Sequence, residues 1–319
     1  MNPAGDGTLE TWTTSPSRAG SPSPTGVLHL GNLRTALVSW CVSHGVGGRW
    51  LVRMEDLDPV TASREHAARQ LDHLARLGLV SDEPVVRQSD RFDLHRDAIA
   101  RLRRDGLVYP CYCTRREIRD AAAAPHGDGL PDGAYPGTCR ELTRAERIER
   151  ERAGRVPALR LRTEGERHRF DDLVLGTVEG VVDDLVLQRS DGVPAYNLAV
   201  VVDDHLQGVD QVVRGDDLAS STPRHLHLQR LLGMPHPTYA HVPLVLGPDG
   251  NRLAKRHGAV TLDDLSARGW TDAEVVRLLG RSLGVDDAPG SAEALAARFS
   301  LARLPRTAWR LDPGRDLTR

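Results

Sequence analysis

Three groups of residues in this 319-residue chain have types and spacings that suit chemistry. The first is the run Pro22-Ser23-Pro24-Thr25-Gly26-Val27-Leu28-His29-Leu30-Gly31-Asn32. Pro and Gly fix a turn there, and a helical pattern opens directly behind it. A helix N-terminus carries unpaired N–H groups and a partial positive charge, which suit a phosphate. Gly31 removes a side chain where a nucleotide would approach the backbone, and His29 can donate to a phosphate oxygen. Taken alone, H-x-G-N is a weak signal, because short glycine motifs also make plain turns. The second group is Cys111, Cys113 and Cys139. Three thiolates plus a fourth ligand suit tetrahedral zinc, and reduced buried thiols are the plain alternative. On ligand chemistry alone, His126 is a better fourth donor than a tyrosine. The third group is Glu55 behind an apolar run, with Tyr196 to His205 followed by Arg214-Gly215-Asp216-Asp217. An arginine there can clamp a carboxylate bidentately. Without company, Glu55 reads as an ordinary strand-end carboxylate, and Lys255 as a solvated loop residue.

The elements that must position these groups follow from periodicity. Residues 31–44 read as an amphipathic helix with Leu33, Leu37, Trp40 and a buried Cys41 on one face. Arg49 to Met54 reads as a strand, with the acidic exit Glu55-Asp56-Leu57-Asp58. Helical patterns occupy about 62–78 and 90–105. This strand–helix alternation favours an α/β fold with a parallel sheet. Residues 110–155 hold the cysteines, an Ala/Pro/Gly loop and a charged run, and read as an inserted subdomain. Strand-like runs return at 158–162, 173–175, 185–189 and 199–202. Next come a helix over 218–232, a strand over 239–246 and a polar turn at Gly247-Pro248-Asp249-Gly250. The pattern is helical after 260 and tail-like over 311–319. The expected organisation is an N-terminal extension over 1–15, a catalytic domain from 16–109 and 156–260, the insertion at 110–155, and a helical region over 261–310.

Composition narrows the function. Lys and Arg (42) nearly cancel Asp and Glu (44), so any nucleic-acid contact must come from a local basic face. Arg101 to Arg104 and Arg115 to Arg119 are candidates, or simply solvated helix faces. No apolar stretch is long enough to span a bilayer, and no secretory signal opens the chain. The expectation is a cytoplasmic enzyme, in which clustered cysteines point to metal before disulfide.

In order, the motifs resemble the glutamyl branch of the class I aminoacyl-tRNA synthetases. That branch carries P-S-P-T-G-x-L-H-x-G-N-x-R-T-A-L, here Pro22 to Asn32 followed by Leu33-Arg34-Thr35-Ala36-Leu37. The resemblance implies a Rossmann-type catalytic domain. It implies ATP, with Mg²⁺, bound by Pro22, Thr25, Gly26, His29, Gly31 and Asn32. The run from His241 to Arg256 resembles the KMSKS loop. Arg252 stands for its first lysine, Ala254 for its serine and Lys255 for its second lysine, which implies Arg252 and Lys255 on ATP, with His29 and Lys255 catalytic. The segments from Tyr196 to Asp204 and from Arg214 to Leu218 resemble the glutamate pocket. Tyr196 and Arg214 then contact glutamate, Glu55 faces its amino group, and Ser21, Pro22 and Ser23 border it. The family also sets an arginine three residues before Pro22 to grip the amino acid. Ala19 stands there, and Arg18, one residue upstream, can replace it if the strand bulges. The pattern C-x-C…Y-x₃-C resembles the family's zinc site, implying one structural zinc on Cys111, Cys113, Tyr135 and Cys139, with His126 the rival fourth ligand.

The resemblance runs from about residue 18 to 285. A full glutamyl-tRNA synthetase continues into a helical anticodon-binding region, and this chain stops soon after the KMSKS-like loop. That matches the short branch of the family, the glutamyl-queuosine tRNA(Asp) synthetases. Membership there implies glutamate activation without tRNA, then transfer to the queuosine base of the tRNA(Asp) anticodon, by an expected monomer. Such recognition would read splayed single-stranded bases. Two alternatives stand beside it. One is a truncated enzyme charging a tRNA 3′ end, and the other is a catalytically weakened tRNA-binding paralogue.

Overall fold

The computed structural model describes residues 17–20, 23–122, 134–254, 257–258 and 260–318, with backbone alone at 17–20 and 119–122. The expected N-terminal extension and residues Ser21, Pro22, His126 and Lys255 lie outside the described residues.

Strands and helices alternate as the periodicity requires. β1 (Ser17–Gly20), α1 (Leu30–His44), β2 (Arg49–Met54), α2 (Arg64–Arg76), β3 (Val86–Arg87) and α3 (Phe92–Arg104) form the first half. A small unit follows with β4 (Val108–Cys111), α4 (Arg115–Ala122), α5 (Arg144–Arg152) and β5 (Ala158–Leu161). Then come the hairpin β6 (Arg167–Asp172) and β7 (Gly176–Val181), β8 (Val186–Gln188), α6 (Tyr196–Leu206), β9 (Gln211–Gly215), α7 (Thr222–Leu232), β10 (Thr238–Val242) and β11 (Val245–Leu246). The chain closes with α8 (Leu262–Ala267), α9 (Asp272–Ser282), α10 (Ala292–Ala296), β12 (Trp309–Arg310) and α11 (Pro313–Asp316).

The main sheet has seven strands in the order β3-β2-β1-β9-β10-β6-β7. All its neighbours pair in parallel except β6 and β7. β1 is the switch point: the chain leaves it through α1 to β2 on one side, and β9 lies on the other. In open parallel sheets, ligands bind outside the carboxyl ends of the strands at this crevice. β4, β5 and β8 form a separate antiparallel sheet. Arg18 sits within β1, in register with Trp50 and Gln211.

The largest core buries the α1 face Leu33, Leu37, Trp40 and Cys41 against Trp50, Val52 and Met54 of β2. Three expectations need correction. The run over 199–202 is not a strand but the middle of α6. Every residue from Leu198 to Asp204 is buried, so the helix has no polar stripe and its apolar run imitates a strand. The run over 173–175 is the turn of the β6–β7 hairpin, because Asp172 Oδ1 accepts the N–H groups of Val174 and Leu175. Nor is the stretch from 311 a loose tail, since Leu311 and Leu317 are 1% and 0% exposed within the main core.

Candidate active site

The turn after β1 is organised by one side chain. His29 is the N-cap of α1, and its Nδ1 accepts the N–H groups of Gly31 (3.1 Å) and Asn32 (3.3 Å). Asn32 Oδ1 accepts the His29 N–H in return, at 3.2 Å, which completes a capping box. Two donors on Nδ1 place the ring proton on Nε2. Burial, helped by the positive charge of Arg252, pushes the His29 pKa down to about 4, so the ring is neutral near pH 7 with an Nε2–H to donate. Leu30 N–H goes to Val260 O at 2.8 Å. The first N–H groups of α1 are thus already satisfied. The expectation of free amides for a phosphate therefore narrows to the imidazole. Gly31 is needed for the same reason: a Cβ there would lie 2.9 Å from His29 Cε1.

The turn faces a cleft of about 890 Å³. Ser23, Thr25, Gly26, His29, Gly31 and Asn32 line it from the turn. Glu55 joins them from the end of β2, Tyr196 from the start of α6, Arg214 from β9 and Arg252 from the loop after β11. Every residue expected at a nucleotide or glutamate site whose side chain is described borders this one space.

Behind Glu55 lies a buried charge cluster. Arg53 is 1% exposed. Its Nη2 lies 2.8 Å from Asp204 Oδ1 and 3.5 Å from Glu55 Oε1, and its Nη1 donates to Gln207 at 3.0 Å. One guanidinium thus serves two carboxylates. Burial drives the Glu55 pKa up to about 7, with Arg53 opposing and Asp204 reinforcing the shift. Burial also raises the Asp204 carboxyl, against the pull of Arg53. The excess negative charge suits an ammonium ion. Tyr196 is held as a neutral phenol by burial and by Glu55.

Arg214 is fixed from behind. Its Nε donates to His241 Nε2 (3.1 Å), its Nη1 meets His225 Nδ1 (3.2 Å), and its Nη2 donates to Thr222 Oγ1 (2.8 Å) and Leu218 O (3.2 Å). Burial, then the charge of Arg214, keeps His225 neutral, and its Nε2 bonds Asn197 at 3.0 Å. Arg252 pairs with Asp217 at 2.6 Å, which ties the loop after β11 to the segment after β9.

A family model for the catalytic domain of class I tRNA synthetases (E and Q) matches residues 20–294. The chain belongs to this family. It is 56% identical to a glutamyl-Q tRNA(Asp) synthetase of Nocardia farcinica, over 91% of each chain. It is 48% identical to one of Symbiobacterium thermophilum, over 90% of this chain and 93% of that one. Identity to glutamate–tRNA ligase 2 of Syntrophus aciditrophicus is 38%, over 91% of this chain and 62% of the relative. A solved glutamate tRNA ligase of Elizabethkingia meningosepticum shares the fold at a TM-score of 0.78 and 24% identity, over 93% of this chain and 67% of that one.

The cysteine cluster of this synthetase-family chain is compact. The thiol sulfurs of Cys111, Cys113 and Cys139 lie within 4.8 Å of one another, and Cys113 and Cys139 are 3.5 Å apart. Tyr135 Oη sits 3.3 Å from Cys111 Sγ and 3.6 Å from Cys113 Sγ. A tetrahedral zinc with Zn–S near 2.3 Å separates ligand sulfurs by about 3.8 Å, so these donors fit the ion.

Sequence reading missed the supports: Arg53, Asp204, Asp172, His225 and His241. Two signals were visible. A charge inside an apolar strand (Arg53) and an acidic pair inside an apolar run (Asp203, Asp204) each demand a buried partner. No helix among the described residues is long and apolar enough to cross a membrane.

Proposed function

We propose that this chain condenses L-glutamate with ATP to glutamyl-adenylate without needing tRNA. It then transfers the glutamyl group to the queuosine base of the tRNA(Asp) anticodon. The observation that carries activation is the convergence in one cleft of a negative pocket at Glu55, a fixed guanidinium at Arg214 and the Nε2–H of His29. Those groups match the ammonium and side-chain carboxylate of glutamate and the phosphates of ATP. The choice of acceptor rests on relatives named glutamyl-Q tRNA(Asp) synthetase at 44–56% identity.

In this reading Glu55 holds the ammonium group, and Arg214 with Tyr196 takes the side-chain carboxylate. Arg18, Ser21, Pro22 and Ser23 border the amino acid, and Thr25, Gly26, Gly31 and Asn32 border the nucleotide. The α-carboxylate attacks the α-phosphorus of Mg²⁺-bound ATP, forming a P–O bond, while the bond to the bridging oxygen breaks and pyrophosphate leaves. His29 Nε2–H, Arg252 and Lys255 stabilise the charge that develops. A nucleophile of the queuosine base then displaces AMP from the acyl carbon. One structural zinc, on Cys111, Cys113, Cys139 and Tyr135, holds the inserted unit 110–155.

The deciding experiment measures glutamate-dependent ATP–pyrophosphate exchange without tRNA, then transfer of labelled glutamate to tRNA(Asp) with and without queuosine. Exchange plus queuosine-dependent transfer supports the reading. Charging of unmodified tRNA(Glu) would favour a tRNA-end ligase, and no exchange would reject an enzyme of either kind.

Three results should accompany it. Lys255→Ala should slow exchange by roughly 10²- to 10³-fold, the value of one preorganised donor at a developing charge; an unchanged rate removes Lys255 from the reaction. Cys113→Ser should lose the bound zinc and loosen the insertion, as read by metal analysis and limited proteolysis. The pH dependence should come from Glu55. A raised carboxyl pKa leaves it protonated below about 7, so kcat/KM for glutamate should fall as pH drops through that value, approaching tenfold per unit. Glu55→Gln should abolish the inflection, and a surviving inflection assigns it elsewhere.

A further inference from the structure

The machinery described so far ends at Arg214, but the structure continues behind it. His241, on β10, is fully buried and meets three side chains: Asp172, Arg214 and Thr222, whose Oγ1 lies 3.2 Å from its Nε2. Its Nδ1 is 2.6 Å from Asp172 Oδ2, and its Nε2 is 3.1 Å from Arg214 Nε. Asp172, at the end of β6, also accepts the backbone N–H groups of His241, Val174 and Leu175. Those bonds outweigh burial and keep the Asp172 carboxylate ionised. An ionised acceptor on Nδ1 fixes the tautomer: Nδ1 carries the proton and Nε2 is a lone pair, the form an arginine N–H requires.

Donor counting gives this chain its consequence. A guanidinium has five N–H donors. Arg214 spends Nε on His241 and shares Nη2 among Thr222, Leu218 and Ser221. It gives Nη1 one described partner, His225, leaving one Nη1–H over. The guanidinium therefore keeps a fixed orientation, with a donor to spare beside the cleft.

We propose that His241, backed by Asp172, is the positioning residue that sets the guanidinium of Arg214 for an acidic side chain, and so makes the site selective for glutamate over glutamine. This rests on the glutamate-activating reading above. A carboxylate accepts the spare N–H with a full negative charge facing the fixed guanidinium, whereas a glutamine amide can offer only its neutral carbonyl oxygen and so forms the weaker bond. Without the Nε acceptor, Arg214 turns to find another partner, and both affinity and discrimination fall.

Two near-isosteric variants separate positioning from mere packing. His241→Gln keeps a side-chain acceptor near the Nε2 position. His241→Asn keeps a donor near Nδ1 for Asp172 and leaves Arg214 Nε without its acceptor. In ATP–pyrophosphate exchange, His241→Asn should raise the glutamate KM roughly 10- to 100-fold, as expected for losing one hydrogen bond to a charged group. It should also lower the glutamate-to-glutamine preference, with the ATP KM within about twofold of the parent by the same single-contact reasoning. His241→Gln should restore most of the glutamate KM. Equal losses in both variants, or a rise in ATP KM that parallels glutamate, would overturn the proposal. An inactive parent enzyme would instead reject the glutamate-activating reading. The positioning would then be read without substrate, from hydrogen exchange of the Arg214 Nε–H by nitrogen-15 NMR, assigned through its loss in Arg214→Lys. That proton should be protected in the parent and in His241→Gln and fast in His241→Asn; fast exchange in the parent sinks the idea.

Discussion

Arg214→Ala is expected to lower kcat/KM for glutamate by roughly 30- to 5,000-fold, with the ATP KM nearly unchanged. Truncating one partner of a desolvated, hydrogen-bonded charge pair costs about 2–5 kcal/mol, and each 1.36 kcal/mol is about tenfold in rate. Arg214 is 9% exposed and holds His241, His225 and Thr222 as well as bordering the cleft. The loss should fall on glutamate binding, because the ATP groups, His29 and Arg252, stand on other elements. Arg214→Lys should recover little. An ammonium is a point charge and cannot reproduce the fork that reaches His241, His225 and Thr222 together. A variant with normal glutamate KM and selectivity would move the carboxylate clamp to another cation of the cleft.

Much of this site was legible in the sequence for reasons that differ by residue. His29, Gly31 and Asn32 lie within one turn, so their relation is local, and a capping box is written in adjacent positions. The amphipathic faces of α2 and α3 showed a clear period. α6 did not, because burial on every side erases the contrast between faces that periodicity depends on. Asp172 and His241 are 69 residues apart and meet only because β6 pairs with β10. Nothing local in either sequence neighbourhood announces the pair. Gly31 shows a subtler limit. Its smallness was readable, but the space it leaves is filled by the His29 ring, not by a ligand.

Arg53→Met should be the most destabilising single change at the site, by about 3–5 kcal/mol at pH 8, the usual consequence of stranding buried carboxylates. The methionine fills a similar length of space, so the penalty is electrostatic. Asp204 loses an ion-pair partner at 2.8 Å, Glu55 one at 3.5 Å, and Gln207 loses a donor. The sign of the pH dependence follows from the same contacts. Arg53 holds both carboxyl pKa values down against burial, so its removal raises both in the native state. Between the ordinary carboxyl range and those raised values, the native state binds more protons than the unfolded chain, so stability falls as pH rises. Urea unfolding should therefore find the variant far closer to the parent at pH 5 than at pH 8. Adding Asp204→Asn to Arg53→Met should recover part of the loss at pH 8, because the stranded charge is gone. An equal loss at both pH values, with no recovery in the double variant, would assign the cost to packing and leave the Arg53 charge without a structural role.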